Sequence, residues 1–441
     1  MGYIVAIMCV LMLIISYKIE KNWYNPATVF FGVWTVVFFL YSLKLYGIYD
    51  VEGTTYATIA LGLFCFFIGY IVCTAEKRQI VLSQRNHSQV KEYINYRLLR
   101  FCGVIVFAFF AEEALETLVL VRSGISLFDI RTSLQGYAEY SFSDNLYVLR
   151  SMIGPLYTWA ILPIYNAMLI ISCINLFTGK KDKTLLLLSA GCLLLKSFKE
   201  GSRVALFAFM IYLLFAMVIY GKKIVLSKKI KKRIRLLIIA AILIIIAISN
   251  IRISTGEKTL FEEIYLYFTC CIPLWDHWLS EMMARGTEYT YGATSLYGIL
   301  QLSVTALSVL NGSTPEWYRA GQQAIQDTEM FIQVRNASYS FRSNAYTTMF
   351  YYLYKDAGMI GIILGGTLFG GVCTSVYKRI KKGIKAGLKS ERQVYIYLLL
   401  LQAIVLSFVR VYFSVASYSF TFFYAFVFIR KKYVREGECE E

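Results

Sequence analysis

The chain has 441 residues, of which 58% are hydrophobic and 17% are charged, and its formal net charge is +17. A soluble domain carries about 25% charged residues, and here the apolar residues are gathered in blocks that favour a membrane over a soluble fold. The positive charge does not indicate nucleic acid as a partner, because most of it lies in loops between the apolar blocks.

Eleven apolar blocks predict membrane-spanning helices, each of which needs about 20 mostly apolar residues. The blocks lie at roughly 3–17, 27–46, 54–74, 98–121, 151–177, 184–198, 203–221, 236–250, 357–377, 394–411 and 413–429. Two weaker blocks, 264–280 and 292–310, would raise the count to thirteen if both crossed the bilayer. Polar residues interrupt them, so we expect re-entrant or interfacial helices, whose polar groups need protein or water around them.

The loops between the blocks differ sharply in their content of lysine and arginine. Six such residues lie across Lys77–Arg100, eight across Lys222–Arg235 and seven across Lys378–Arg392, whereas Gly47–Gly53 has none. Basic residues collect in cytoplasmic loops. The sequence therefore predicts a single all-α membrane domain over 1–441, with its N-terminus outside and its C-terminus in the cytoplasm. It also predicts a large extracytoplasmic segment, 250–356.

This outer segment is rich in aromatic and cationic side chains, including Trp275, Tyr346 and Tyr352 together with Arg335 and Arg342. Aromatic faces pack well on the C–H patches of sugar rings, although Trp and Tyr also collect at the membrane surface for other reasons. Arginine binds diphosphate groups through paired hydrogen bonds. The alternative for each arginine, including Arg131 in an earlier outer loop, is a solvated loop charge.

Two further features place ionisable groups at the outer ends of spans. Arg203 begins the seventh apolar block, directly after the turn formed by residues 199–202. Glu112, Glu113 and Glu116 lie near the outer end of the fourth block, where they predict a general base or a cation site. The alternatives are snorkelling of Arg203 to the interface and a helix that has already left the bilayer. No nucleotide-binding or zinc motif is present, so we expect no cofactor and no metal.

Two stretches of the chain carry a further motif signal. The first is Gly201-Ser202-Arg203 followed by the apolar run Val204–Tyr220. The second is Ser343–Thr348, which contains Asn-Ala-Tyr-Thr, followed by Tyr352–Gly361. In these stretches the chain resembles the Wzy-type polymerases of O-antigen and capsular polysaccharide. Members of that family often carry Asn-x-Tyr-Thr and then Asp-Phe-Gly-x-x-Gly, and here Ala357 stands in place of the Phe. The Arg-x10-Gly spacing of some members is absent.

The resemblance implies a GT-C-like, metal-independent glycosyltransferase without a cofactor, located in the cytoplasmic membrane with an extracytoplasmic active site. Such an enzyme joins oligosaccharide repeat units carried on undecaprenyl diphosphate, within the membrane lipid, and has a flippase and a chain-length regulator as partners. The catalytic candidates are Arg203, Arg342 and, as alternative bases, Asp356 and Glu113. The candidates for substrate binding are Arg131, Arg335, Asn344, Tyr346, Tyr352 and Trp275.

Two other functions are alternatives. One is an O-antigen ligase-like transferase, which moves a finished glycan onto another acceptor and shares this layout. The other is a flippase or transporter of lipid-linked oligosaccharides, which predicts duplicated halves and no long outer loop. The sequence has no internal repeat and has a long outer segment, which counts against the flippase.

Overall fold

The computed structural model describes residues 1–75, 89–125, 130, 148–179, 182–200, 203–221, 235, 260–335, 342–386 and 390–434. The predicted span 236–250 and the candidate Arg131 lie outside these residues.

The described residues are mostly helical. The first eight helices are α1 Gly2–Glu20, α2 Pro26–Ser42, α3 Gly53–Ala75, α4 Tyr96–Arg122, α5 Val148–Ile153, α6 Leu162–Thr178, α7 Lys183–Lys199 and α8 Val204–Gly221. The others are α9 Leu260–Thr269, α10 Cys271–Arg285, α11 Tyr297–Asn311, α12 Glu316–Asp327, α13 Thr348–Lys385, α14 Glu391–Val405 and α15 Ala416–Phe428. Short strands are β1 Gln89–Ile94, β2 Ile332–Gln333, β3 Arg342–Ser343 and β4 Ile429–Val434. A π-helical turn, Tyr157–Ile161, precedes α6.

Several of these helices are suited to a bilayer. Five are long and apolar enough to cross one: Gly2–Glu20, Gly53–Ala75, Tyr157–Thr178, Val204–Gly221 and Thr348–Ile384. Shorter apolar helices are Pro26–Ser42, Tyr297–Asn311 and Ala416–Phe428. The prediction of a helical, multi-pass membrane protein is confirmed to this extent. The number of eleven spans and their orientation stay predictions.

The chain divides into two compact units. Unit 1 comprises Met1–Ser83, Phe261–Gln393 and Leu399–Ser419. Its core is the packing of α3 against α13, where glycines let two backbones meet. A Cβ on Gly69 would lie 2.0 Å from the Thr367 carbonyl oxygen, and one on Gly370 would lie 2.2 Å from the Phe66 carbonyl oxygen. Small residues allow close approach of this kind between membrane helices.

Helix α13 is broken within unit 1. Ala357 and Gly358 leave the helical conformation, and Gly358 has a φ of 60° and a ψ of −141°. This conformation is essentially restricted to glycine. The Asp-Ala-Gly sequence therefore marks the position at which the helix changes course.

Unit 2 comprises Gln84–Leu260, Val394–Leu398 and Phe420–Glu441. In it α4 packs against α7, while α6 packs against both α7 and α8. Strands β1 and β4 pair antiparallel, with Gln89 opposite Val434 and Ile94 opposite Ile429. The Asp182 side chain caps α7 by accepting a hydrogen bond from the Leu185 amide at 3.0 Å. The expectation of a single domain over 1–441 is not tested by this division.

Candidate functional site

A buried group of three polar side chains in unit 2, the Lys199 cluster, consists of Glu113, Tyr157 and Lys199. The Lys199 ammonium forms an ion pair with Glu113 Oε2, and both side chains are fully buried. Lys199 Nζ also lies 2.7 Å from the Tyr157 hydroxyl, and that hydroxyl donates to Glu113 Oε2 at 3.3 Å. Three helical segments, α4, the π-helical turn and the C-terminus of α7, bring these residues together.

The second carboxylate oxygen of Glu113 differs from the first. Oε1 is buried and has no hydrogen-bond partner within the described part of the chain. Buried polar atoms are almost always paired, so this carboxylate oxygen is a candidate acceptor for a group from outside the cluster. The Lys199 ammonium also lies 4.4 Å from the centre of the Phe110 ring, which gives it a third favourable contact.

Other charged groups surround the Lys199 cluster. Lys196 Nζ forms an ion pair with Glu200 at 2.5 Å, and the Arg150 guanidinium lies 4.8 Å from the centre of the Tyr157 ring. Arg203 is buried and directly precedes α8. Ionisable groups gathered among apolar helices are a functional-site hypothesis by default, because their burial is costly. The cluster is therefore the first candidate site.

The motif residues of the second resemblance lie in unit 1, where Asn344 and Tyr352 lie near an ion pair between Arg410 and Glu329. Arg410 Nη2 donates to Glu329 Oε1 at 2.8 Å. The Asn344 amide donates to the Glu329 carbonyl oxygen at 2.7 Å. Tyr352 is fully buried, and Tyr352 and Tyr412 both lie within electrostatic range of the Arg410 guanidinium. We call Glu329, Tyr352, Arg410 and Tyr412 the Arg410 cluster.

Asp356 lies at the break in α13 and anchors the loop that precedes α11. Its Oδ1 accepts hydrogen bonds from the Thr290 hydroxyl at 2.7 Å and the Thr294 amide at 2.9 Å. Its Oδ2 accepts from the Ser295 amide at 3.1 Å. The carboxylate is buried and both of its oxygens are occupied by neutral donors. This arrangement holds the 290–295 loop against α13.

The remaining predicted residues of unit 1 have structural partners. Arg335 forms a buried ion pair with Glu262, and its backbone bridges to Ile48. Arg342 lies in β3, opposite Gln333. Trp275 is fully buried, and its Nε1 donates to the Thr58 hydroxyl at 3.1 Å.

Tyr346 and Trp275 both pack on other aromatic rings. Tyr346 meets the ring of Tyr267 edge-on at 5.3 Å between centroids, and Trp275 meets Tyr354 in the same way at 5.8 Å. The structure therefore places Trp275 in the packed core of its unit, where its ring has no exposed face. Five other candidates lie in unit 1: Arg335, Asn344, Tyr346, Tyr352 and Asp356. Glu113 and Arg203 lie in unit 2.

Unit 1 also contains a polar cavity of about 590 Å³. Its lining includes Tyr49, Asp276, His277, Glu281 and Gln333. Carboxylate, imidazole and amide groups hydrogen-bond hydroxyls readily, and the volume lies within the range of about 300–1,000 Å³ that is usual for ligand sites. The cavity therefore suits a hydroxyl-rich ligand.

The sequence did not indicate site roles for Tyr157, Glu329 and Arg410, and it indicated Lys199 only as one of several cations of the predicted outer segments. One signal was available for Arg410, because it is the only charged residue between 393 and 429. An arginine inside an apolar block is a functional hypothesis by default. Within the described residues, no group of three or more His, Cys, Asp or Glu side chains is arranged to hold a metal ion.

Compared with models of protein families, with curated proteins and with solved structures, the chain matches none.

Proposed function

We propose that this protein is a polymerase of surface polysaccharide. It joins oligosaccharide repeat units carried on undecaprenyl diphosphate, on the outer face of the cytoplasmic membrane. In this proposal the chain has a GT-C-like fold of about eleven spans, with its N-terminus outside and its C-terminus inside. The motif resemblance, the apolar helices and the polar cavity of unit 1 support the proposal.

The single observation that carries it is the Lys199 cluster. Removing a carboxylate and an ammonium from water costs several kcal/mol per ion, and a well-packed apolar pair would often serve stability equally well. The buried pair of Glu113 and Lys199 is therefore poorly explained by stability alone. A carboxylate with one unpaired oxygen, oriented by an ammonium and a phenol, is suited to accept a proton.

The proposed reaction uses Glu113 as the general base. The acceptor hydroxyl attacks the anomeric carbon of the donor while its proton passes to Glu113 Oε1. The bond between that carbon and the diphosphate oxygen breaks, and the lipid diphosphate leaves with the electron pair. Arg203, which is also buried in unit 2, is the candidate for stabilising the negative charge that develops on the leaving group.

The test is complementation of a polymer-deficient strain that lacks this gene, with lipopolysaccharide or capsule length as the readout. We expect Glu113→Gln and Lys199→Gln to leave single repeat units in place of polymer. A ligase would instead accumulate lipid-linked polymer, and a flippase would accumulate repeat units on the cytoplasmic side. Either of these outcomes would refute the polymerase.

A matched control uses another ion pair of α4. Arg100 Nε lies 3.1 Å from Asp182, and the Arg100 side chain is 47% exposed. We expect Arg100→Gln to retain polymer. The exchange of charges in Glu113→Lys with Lys199→Glu keeps an ion pair but moves the carboxylate to another helix. Recovery of polymer in this double variant would mean that the pair is structural.

A further inference from the structure

The Arg410 cluster adjoins an apolar groove of about 290 Å³ in unit 1. The groove is lined by segments of α11, α13 and α14 and by the turn that follows Arg410. Most lining side chains are apolar, including Ile299, Leu368 and Val372, which are about half exposed or more. Of the polar lining residues, Ser407, Arg410 and Tyr412 follow the end of α14, and Ser295 lies just before α11.

We propose that this groove binds the isoprenoid chain of a polyisoprenyl diphosphate, with Arg410 holding its phosphate. The identity of the lipid rests on the proposed function, whereas the site itself rests on the groove and its arginine. Arginine binds phosphate oxygens through two parallel hydrogen bonds, and Arg410 is the only charged residue among the described residues that line the groove.

The size of the groove favours a lipid with one chain. Ligand sites usually measure about 300–1,000 Å³, so a groove of about 290 Å³ holds only the part of a chain nearest its head group. The exposed apolar rim then allows the rest of a long isoprenoid to continue into the bilayer. A phospholipid has two chains, which makes it the poorer occupant.

Glu329 competes with the phosphate for Arg410. It accepts a hydrogen bond from Arg410 at 2.8 Å and is itself only 25% exposed. A diphosphate that approaches Arg410 meets repulsion from this carboxylate. We therefore predict that loss of the Arg410 charge weakens binding of the diphosphate and that loss of the Glu329 charge strengthens it.

The experiment measures binding of radiolabelled undecaprenyl diphosphate to the purified full-length protein in phosphatidylcholine nanodiscs. We expect Arg410→Gln to weaken binding about tenfold, as for the loss of one hydrogen bond between charged groups. We expect Glu329→Gln to tighten binding, a change that misfolding cannot produce. The double variant Arg410→Gln with Glu329→Gln loses both the attraction and the repulsion, so it should bind more weakly than the wild-type protein but more tightly than Arg410→Gln.

Two valines form a matched pair for the groove. Val372 lines it and is 50% exposed, whereas Val72 on α3 lies outside it and is 61% exposed. Val372→Asn should weaken binding, and Val72→Asn should not. Unlabelled undecaprenol should compete poorly, because it lacks the phosphate.

Three results would overturn the site: unchanged binding by Arg410→Gln, equal loss from the two valine variants, or equal competition by phosphatidylglycerol. The last would make the groove a phospholipid site. Because binding is measured without polymer formation, these failures are separate from a failure of the proposed function, which is read in cells.

Discussion

Two buried carboxylates, Asp356 in unit 1 and Glu113 in unit 2, are equal candidates for a general base in the sequence but have different surroundings in the structure. Both oxygens of Asp356 accept hydrogen bonds from neutral donors of the 290–295 loop. Glu113 instead meets an ammonium and a phenol through one oxygen. Its other oxygen has no partner among the described residues.

The difference separates an anchor from a reactive group. A carboxylate that accepts hydrogen bonds from buried backbone amides has a structural role, because buried N–H groups have to be paired where a loop packs against a helix break. Burying a carboxylate beside an ammonium costs free energy of desolvation, and the pairing of backbone groups does not explain why that cost is paid. We therefore propose Glu113 rather than Asp356 as the base, and assign the Asp-Ala-Gly motif to the architecture of unit 1.

The largest effect on stability is expected for removal of the ammonium. Lys199→Met leaves the Glu113 charge buried without its partner, which should lower the free energy of unfolding by about 3–5 kcal/mol. The measurement is SDS titration of the purified protein in mixed micelles. The double variant Lys199→Met with Glu113→Leu should recover most of this loss, yet form no polymer. Recovery of polymer as well would remove Glu113 from the mechanism.

Asp356→Ala is expected to have the next largest effect. It leaves the buried amides of Thr294 and Ser295 without an acceptor, and each such group costs about 1–3 kcal/mol, for a total of about 3 kcal/mol. Asp356→Asn keeps one amide oxygen as an acceptor, so it should cost less and retain polymer. If Asp356→Asn abolished polymer at normal protein levels, the contrast between the two carboxylates would fail.

The sequence predicts those structural features that a single stretch of the chain determines. The lengths of apolar blocks predict helices such as α1, α3 and α8. The sequence places Asp-Ala-Gly at the start of a span, whereas in the structure α13 already begins at Thr348 and is broken at that motif. The sequence could not reveal that Glu113 meets Lys199, because 86 residues separate the two. Nor could it show that Trp275 is buried, since a tryptophan in an outer segment is compatible both with a sugar site and with a packed core.

Gly358→Ala tests whether the break in α13, which presents Asp356 to its loop, requires glycine. The φ of 60° and ψ of −141° are strained for alanine, and its Cβ would lie 2.9 Å from the Tyr289 hydroxyl. We expect a loss of about 2 kcal/mol in the same SDS titration. Gly312→Ala is the control, because Gly312 also has positive φ but faces open space. It should cost about 1 kcal/mol, and an equal loss for both would show that the break tolerates alanine.

The smallest effect on the free energy of unfolding is expected for a solvent-exposed ion pair. Arg285 Nη1 lies 2.9 Å from Glu281 one helical turn away, and the Arg285 side chain is 79% exposed. Exposed pairs of this spacing contribute about 0.3–0.5 kcal/mol, so Arg285→Ala should lie near the limit of detection in SDS titration. The geometry of this pair is as good as that of the buried ones. If Arg285→Ala lowered the free energy of unfolding as much as Lys199→Met, burial would not be what makes the Lys199 pair costly to break. The assignment of the Lys199 cluster to function would then lose its physical basis.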